Sequence, residues 1–200
     1  LPPGLKNYKI VQLSDIHIGP SIDLDDFDEI LKLALLQKPN RVVITGDLID
    51  KLAWLPQVCE RLTTFAKQIP DGVDFILGNH EYHHDVNKVL DALKRNTPMN
   101  ILVNSNIQIM GGKQPVYIAG VAYDNDRKKD NREAMINKAL SGIPDYAFVI
   151  LLAHHPEFFE ESIERKIPLT LSGHTHGGQI VFMGMPLVPT GTPYTKGRYV

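Results

Sequence analysis

Short apolar runs alternate along this chain with stretches whose apolar positions recur at helical spacing. Residues 9–13 predict a strand. In 24–37 apolar residues at 24, 27, 30, 31, 33, 34 and 35, among others, follow a helical periodicity with Asp23 placed as N-cap. Pro39 and Asn40 break that helix, and 41–45 then reads as a buried strand. A helix over 54–67, closed by Pro70-Asp71-Gly72, leads to a strand over 73–77 and a helix over 85–95. Strand-helix alternation of this kind predicts a mostly parallel sheet covered by helices.

The pattern changes in the middle. Short strands over 101–103, 107–110 and 116–122 are separated by Asn-Ser-Asn and Gly-Gly turns, which predicts antiparallel pairing. A charged stretch, 124–132, precedes a helix over about 131–140. Strand, helix and strand follow over 147–153, 157–165 and 169–171, with a last strand over 179–183. The expected fold is an α/β four-layer αββα sandwich of two mixed sheets flanked by helices, formed by a single domain spanning 1–200.

Composition narrows the class. Hydrophobic residues make up 43% and charged residues 22%, which excludes a disordered chain. Lys and Arg total 21 against 23 Asp and Glu, a formal net charge of −2, so the electrostatic footprint of a nucleic-acid binder is absent and no specific nucleic-acid binding is expected. The single cysteine, Cys59, excludes an internal disulfide and a cysteine-rich zinc site. The longest apolar run, 147–153, falls far short of the roughly 18–20 residues of a membrane helix. The chain begins at Leu1 and ends on Arg198-Tyr199-Val200, an expected strand start, after a Pro- and Gly-rich run from Met185. It therefore reads as truncated at both ends, lacking C-terminal strands and any upstream anchor.

The chemistry sits where the strands stop. Five strands run directly into Ser14-Asp15-Ile16-His17, Gly46-Asp47-Leu48-Ile49-Asp50, Gly78-Asn79-His80-Glu81, His154-His155 and Ser172-Gly173-His174-Thr175-His176. In open α/β sheets the carboxyl ends of the strands form the binding crevice, so these segments should converge. Each motif alone reads equally well as a turn; five together carry a metal site. Asp15, His17, Asp47, Asn79, His154, His174 and His176 exceed what one four-coordinate ion can use, and fit two ions sharing a carboxylate. Their oxygen and imidazole donors suit Mn, Fe or Zn. Two such ions would attract an anionic phosphate, although carbonyl substrates also occur at dinuclear sites.

This motif set, in order, resembles that of the calcineurin-like metallophosphoesterases, and the resemblance covers about residues 9–180. The Gly-His-Thr-His-Gly-Gly-Gln string at 173–179 is similar to a bacterial subgroup often carrying a membrane segment or export signal. The resemblance implies a hydrolase that cleaves a phosphomonoester, phosphodiester or pyrophosphate bond by attack of a hydroxide bridging two divalent transition-metal ions. One ion would be held by Asp15, His17 and His176, the other by Asn79, His154 and His174, with Asp47 shared. His80 would bind a phosphate oxygen or protonate the leaving group, oriented by Asp50. The expected partner is a small phosphorylated substrate, with lipid-linked and nucleotide-sugar phosphates among the candidates. Membrane contact would come only through a segment outside this chain. Two alternatives are a catalytically silent scaffold of the same fold and a dinuclear metal amidohydrolase.

Overall fold

A computed structural model of the chain describes residues 1–123, 128–178, 181–182, 185–186 and 192–200. Its first sheet has the order β1 (Ile10–Leu13), β2 (Arg41–Thr45), β3 (Val73–Ile76), β4 (Asn100–Ile101), and every pairing is parallel. Parallel neighbours require crossover connections, supplied here by α1 (Leu24–Leu36), α2 (Leu55–Ala66) and α4 (Val86–Asn96), with the short α3 (Asn79–His83) between β3 and α4. Asp23 caps α1 as expected, accepting from the Asp25 and Asp26 amides at 2.9 Å each, and Asp26 returns a bond to the Asp23 amide.

The second sheet has the order β5 (Ser105–Met110), β6 (Val116–Gly120), β7 (Phe148–Leu152), β8 (Leu169–Leu171). β5 and β6 pair antiparallel; β6, β7 and β8 run parallel, connected through α5 (Lys129–Ala139) and α6 (Phe158–Glu164). Two expectations are corrected. The first sheet is parallel throughout its described strands rather than mixed. The segment around Ile101 joins that sheet instead of pairing with the strands after it, because α4 carries the chain across and returns it in the direction of β3. At the end, β9 (Val181–Phe182) lies within the predicted last strand and pairs antiparallel with β10 (Met185–Pro186), which falls in the Pro- and Gly-rich run where no strand is expected. Gln179, Ile180 and Met183 of the predicted last strand, and 124–127 of the charged stretch, lie outside the described residues.

Alternation along the strands divides the apolar residues among three layers of contact. Val42 and Ile44 of β2 and Val73 and Phe75 of β3 face α1, α2 and α4, against Phe27, Leu31, Val58, Leu62, Phe65 and Leu93. Their neighbours Val43 and Ile76 face the other way and meet Ile118, Ile150 and Leu152 of the second sheet. Val149 and Leu151 of β7 turn outward to Ile136, Ala139 and Phe158 of α5 and α6. The sandwich is thus helices, sheet, sheet, helices. Cys59 is buried in the α2 layer, where burial pushes its thiol up, and serves packing.

The sheets approach closely at Gly120. A Cβ there would lie 2.5 Å from Leu102 Cβ and 2.6 Å from Ile76 Cγ2, so only glycine fits. We therefore expect Gly120→Ala to lower stability by about 1–3 kcal/mol through overpacking, read as a lower urea midpoint. An unchanged midpoint would mean that the sheets separate there freely.

Candidate metal centre

Parallel strands end on the same side, and the segments following β1, β2, β3, β7 and β8 meet at one edge of the sandwich. Backbone bonds lock them together: Asp15 N–H donates to Gly46 O at 3.1 Å, His17 N–H to Asp47 O at 3.0 Å, and Gly173 N–H to His154 O at 3.0 Å. The two sheets are tied across this edge by Gln12 Nε2 donating to Ser172 O at 2.9 Å and His174 N–H donating to Asp15 Oδ1 at 2.8 Å.

Five polar residues here adopt left-handed backbone: Asp15 (φ 54°), His17 (53°), Asp47 (53°), His174 (72°) and His176 (47°). Such conformations cost on the order of 1–3 kcal/mol each in residues other than glycine and persist only where surroundings enforce them. Here they kink the chain as it leaves each strand. Asp47 follows Gly46 (φ 90°), where a Cβ would come within 2.6 Å of Gly78 N and 2.7 Å of His154 Nδ1. A larger residue would therefore force the β2, β3 and β7 ends apart.

The seven predicted donors come together in two groups. Asp15, His17 and His176 offer ligand atoms within 4.8 Å of one another, with His17 Nε2 at 3.2 Å from His176 Nε2 and His176 Nε2 at 3.4 Å from Asp15 Oδ1. Asn79 Oδ1 lies 2.9 Å from His174 Nδ1 and 3.0 Å from His154 Nε2. Asp47 stands between the groups, its Oδ2 at 3.2 Å from His154 Nε2 and 3.7 Å from His17 Nε2.

Proton inventory shows that these residues fit a cation. His154 Nδ1 sits 2.7 Å from the Thr45 carbonyl, which only accepts, so Nδ1 carries the hydrogen. Nε2 then directs a lone pair toward Asp47 and Asn79 oxygens, and the three can be reconciled by a proton or a metal ion. Burial alone would push the Asp47 carboxyl up, but the hydrogen bond and charge of His154, aided by the His80 amide, hold it at about 2. Burial opposes charge on His154, yet contact with Asp47 and Asp15 raises its pKa. Site and partner charge are mutually dependent.

His80 and Asp50 meet beside the first group. His80 Nδ1 is 2.7 Å from Asp50 Oδ1, and Asp50 also lies 3.3 Å from His17 Nδ1. The His17 and His80 rings are edge to face with centroids 4.4 Å apart. The His80 amide donates to Asp47 Oδ1 at 2.9 Å. His80 is only partly buried and open to an incoming molecule. His83 and His84 lie exposed at the end of α3.

Two residues were passed over by the pattern. Strand alternation carried on from β7 would turn His155 away from His154, yet its ring packs 3.7 Å from that of His174 and Nδ1 lies 3.3 Å from Glu157 Oε2. The pleat that would separate neighbours has already ended at Leu152. Glu81, quoted in its motif without a role, is fully buried and accepts from the amides of Asp47 (3.0 Å), Leu48 (2.7 Å) and Gly78 (2.7 Å). Burial and the neighbouring Asp47 charge push its carboxyl up, against those three bonds. The signal was present as the Gly78-x-x-Glu81 spacing of a helix start.

Known proteins are similar to this chain in sequence or in fold. An uncharacterised metallophosphoesterase of Campylobacter jejuni is 36% identical over 100% of this chain and 52% of its own length. A bovine transmembrane protein with metallophosphoesterase domain is 34% identical over 90% of this chain and 43% of its own. The chain thus spans about half the length of these relatives. Among solved structures, the NAD nucleotidase of Haemophilus influenzae shares the fold, with a TM-score of 0.53 at 18% identity over 84% of this chain and 38% of that one. Residues 8–178 match the calcineurin-like phosphoesterase family, and on that match and the identity to its relatives the chain belongs to this family.

Proposed function

We propose that this chain is a dinuclear metal-dependent phosphohydrolase acting on a phosphomonoester, phosphodiester or pyrophosphate bond. The observation that carries the reading is His154 Nε2 held between the oxygens of Asp47 and Asn79 while Nδ1 is committed to the Thr45 carbonyl. In this reading Asp15, His17 and His176 hold one divalent ion, Asn79, His154 and His174 the other, and Asp47 is shared. Mn, Fe and Zn all suit such donors. When bound, the ions supply Lewis acidity and lower the pKa of water toward roughly 7.

The chain's own residues divide the remaining work. Asp50 orients His80 through Nδ1, leaving the other ring nitrogen to bind a phosphate oxygen or to donate a proton to the leaving oxygen. The Asp47 carboxylate is held by the His80 amide, so the two residues keep a fixed relation. A small phosphorylated substrate fits this chemistry, and lipid-linked and nucleotide-sugar phosphates belong to that class. No described helix is long and apolar enough to cross a membrane. The name of the bovine relative supports membrane association of a whole protein of this kind, through some other segment. The donor set has no gap, which favours catalysis over a silent scaffold, and the two-sheet sandwich counts against an amidohydrolase barrel.

Metal analysis paired with hydrolysis of p-nitrophenyl phosphate, bis-p-nitrophenyl phosphate and pyrophosphate compounds tests the reading. We expect two ions per chain and turnover abolished by chelation; a metal-replete protein inert toward all three classes would sink it. Asp47→Ala should lose metal and activity together, because its carboxylate faces both groups. His80→Gln should retain both ions while kcat falls about 10²–10⁴-fold. Were His80→Gln to empty the site instead, its assignment as acid would be wrong.

A further inference from the structure

We infer that Glu81 is a positioning residue for this centre, its buried carboxylate clamping the Asp47 turn to the Gly78–His80 turn. The inference rests on the dinuclear reading above and adds a residue that holds no ion and touches no substrate.

The geometry is specific. The left-handed backbone at Asp47 turns two successive amides, those of Asp47 and Leu48, toward one point, forming the concave donor pair that binds anions. The anion they receive is internal. Glu81 Oε1 takes the Leu48 amide at 2.7 Å, and Oε2 takes the Asp47 amide at 3.0 Å together with the Gly78 amide at 2.7 Å. One carboxylate therefore joins the segment after β2 to the segment after β3, with no exposure to solvent.

What those segments carry gives the clamp its consequence. Asp47 is the carboxylate facing both donor groups; Asn79 and His80 directly follow Gly78. A second tie, the His80 amide on Asp47 Oδ1 at 2.9 Å, closes the loop. Glu81 thus fixes the backbones, and the His80 amide fixes the carboxylate's rotation. The separation of Asp47 Oδ2 and Asn79 Oδ1, which both face His154 Nε2 at 3.2 and 3.0 Å, follows from the two ties together. A glutamate that served the core alone would have no reason to collect three amides from the two turns that carry the shared carboxylate and its neighbour.

The experiment compares the wild type with Glu81→Gln, Glu81→Asp and the distant core variant Val58→Ala. Glutamine matches glutamate in size, yet its amide group must turn a donor toward at least one of the three N–H groups. Aspartate keeps the charge but is one methylene too short to reach both turns. Val58 is fully buried against α2's partners and supplies a loss of thermal stability unrelated to the site. Below each protein's unfolding temperature, Zn and Mn affinities are titrated, and kcat and KM for p-nitrophenyl phosphate are measured at saturating metal. We expect both Glu81 variants to bind metal about 10–100-fold more weakly than wild type, with KM unchanged and activity recovering as metal is raised. Val58→Ala should lose stability with wild-type metal affinity. Folded Glu81 variants with wild-type metal affinity, or variants that fail to fold at all, would overturn the inference. A wild type that binds no metal pair would instead overturn the reading beneath it.

Discussion

A carboxylate as deeply buried as that of Asp47 is tolerable only with positive charge beside it, because an isolated ion in an apolar interior loses far more solvation than packing returns. The strands' carboxyl ends make that charge obligatory. They bring Asp15, Asp47 and Asn79 oxygens against imidazole nitrogens whose other atoms are already committed, as His154 Nδ1 is to Thr45. The His154 imidazolium can satisfy the nearest pair, but the His17 and His176 nitrogens at 3.2 Å must also be reconciled. A family of phosphoesterases built on this edge is intelligible from that single electrostatic demand.

Meeting it requires backbone strain, and the fold supplies the restraint. Five of the seven candidate donors sit in left-handed conformations, and bonds to neighbouring strand ends restrain them: Asp15 to Gly46, His17 to Asp47, and His174 to Asp15. The restraint reaches back into the sandwich, since Gln12 ties β1 to the end of β8 and so couples the edges of the two sheets. Far from the site, at the opposite ends of β2 and β3, Arg41 Nη1 donates to both carboxylate oxygens of Asp74 at 2.8–2.9 Å in a buried pair, joined by Asn100 of β4. That pair fixes the register of the same strands whose other ends carry Asp47 and Asn79.

Much of this was legible in the sequence because the relevant patterns are local. The unbroken apolar run of Val42, Val43 and Ile44 already marked a buried strand, and Asp23 announced its own helix. The donor motifs were legible for the same reason: each follows an apolar strand directly, and parallel strands end together. What stayed hidden depends on partners distant in the chain. Arg41 opens a buried strand only because Asp74 lies alongside; nothing near position 41 says so. The segment around Ile101 resembles its successors in composition, and its parallel pairing is decided by the path of α4. Glu81 reads as one more acidic residue at a helix start until the two turns it joins are seen in contact. His155 defeated the alternation rule by lying three residues beyond the point where regular pleating applies.

The placement of Asp50 bears on how the proposed chemistry is kept in register. Its carboxylate contacts His17 at 3.3 Å and His80 at 2.7 Å, so one side chain serves both a proposed ion-holding residue and the proposed proton donor. Asp50 is itself anchored, its amide donating to Ile18 O at 2.9 Å, immediately after the His17 turn. The position of His80 relative to the first donor group is therefore set by a short covalent and hydrogen-bonded path, rather than by the looser packing of a partly exposed ring.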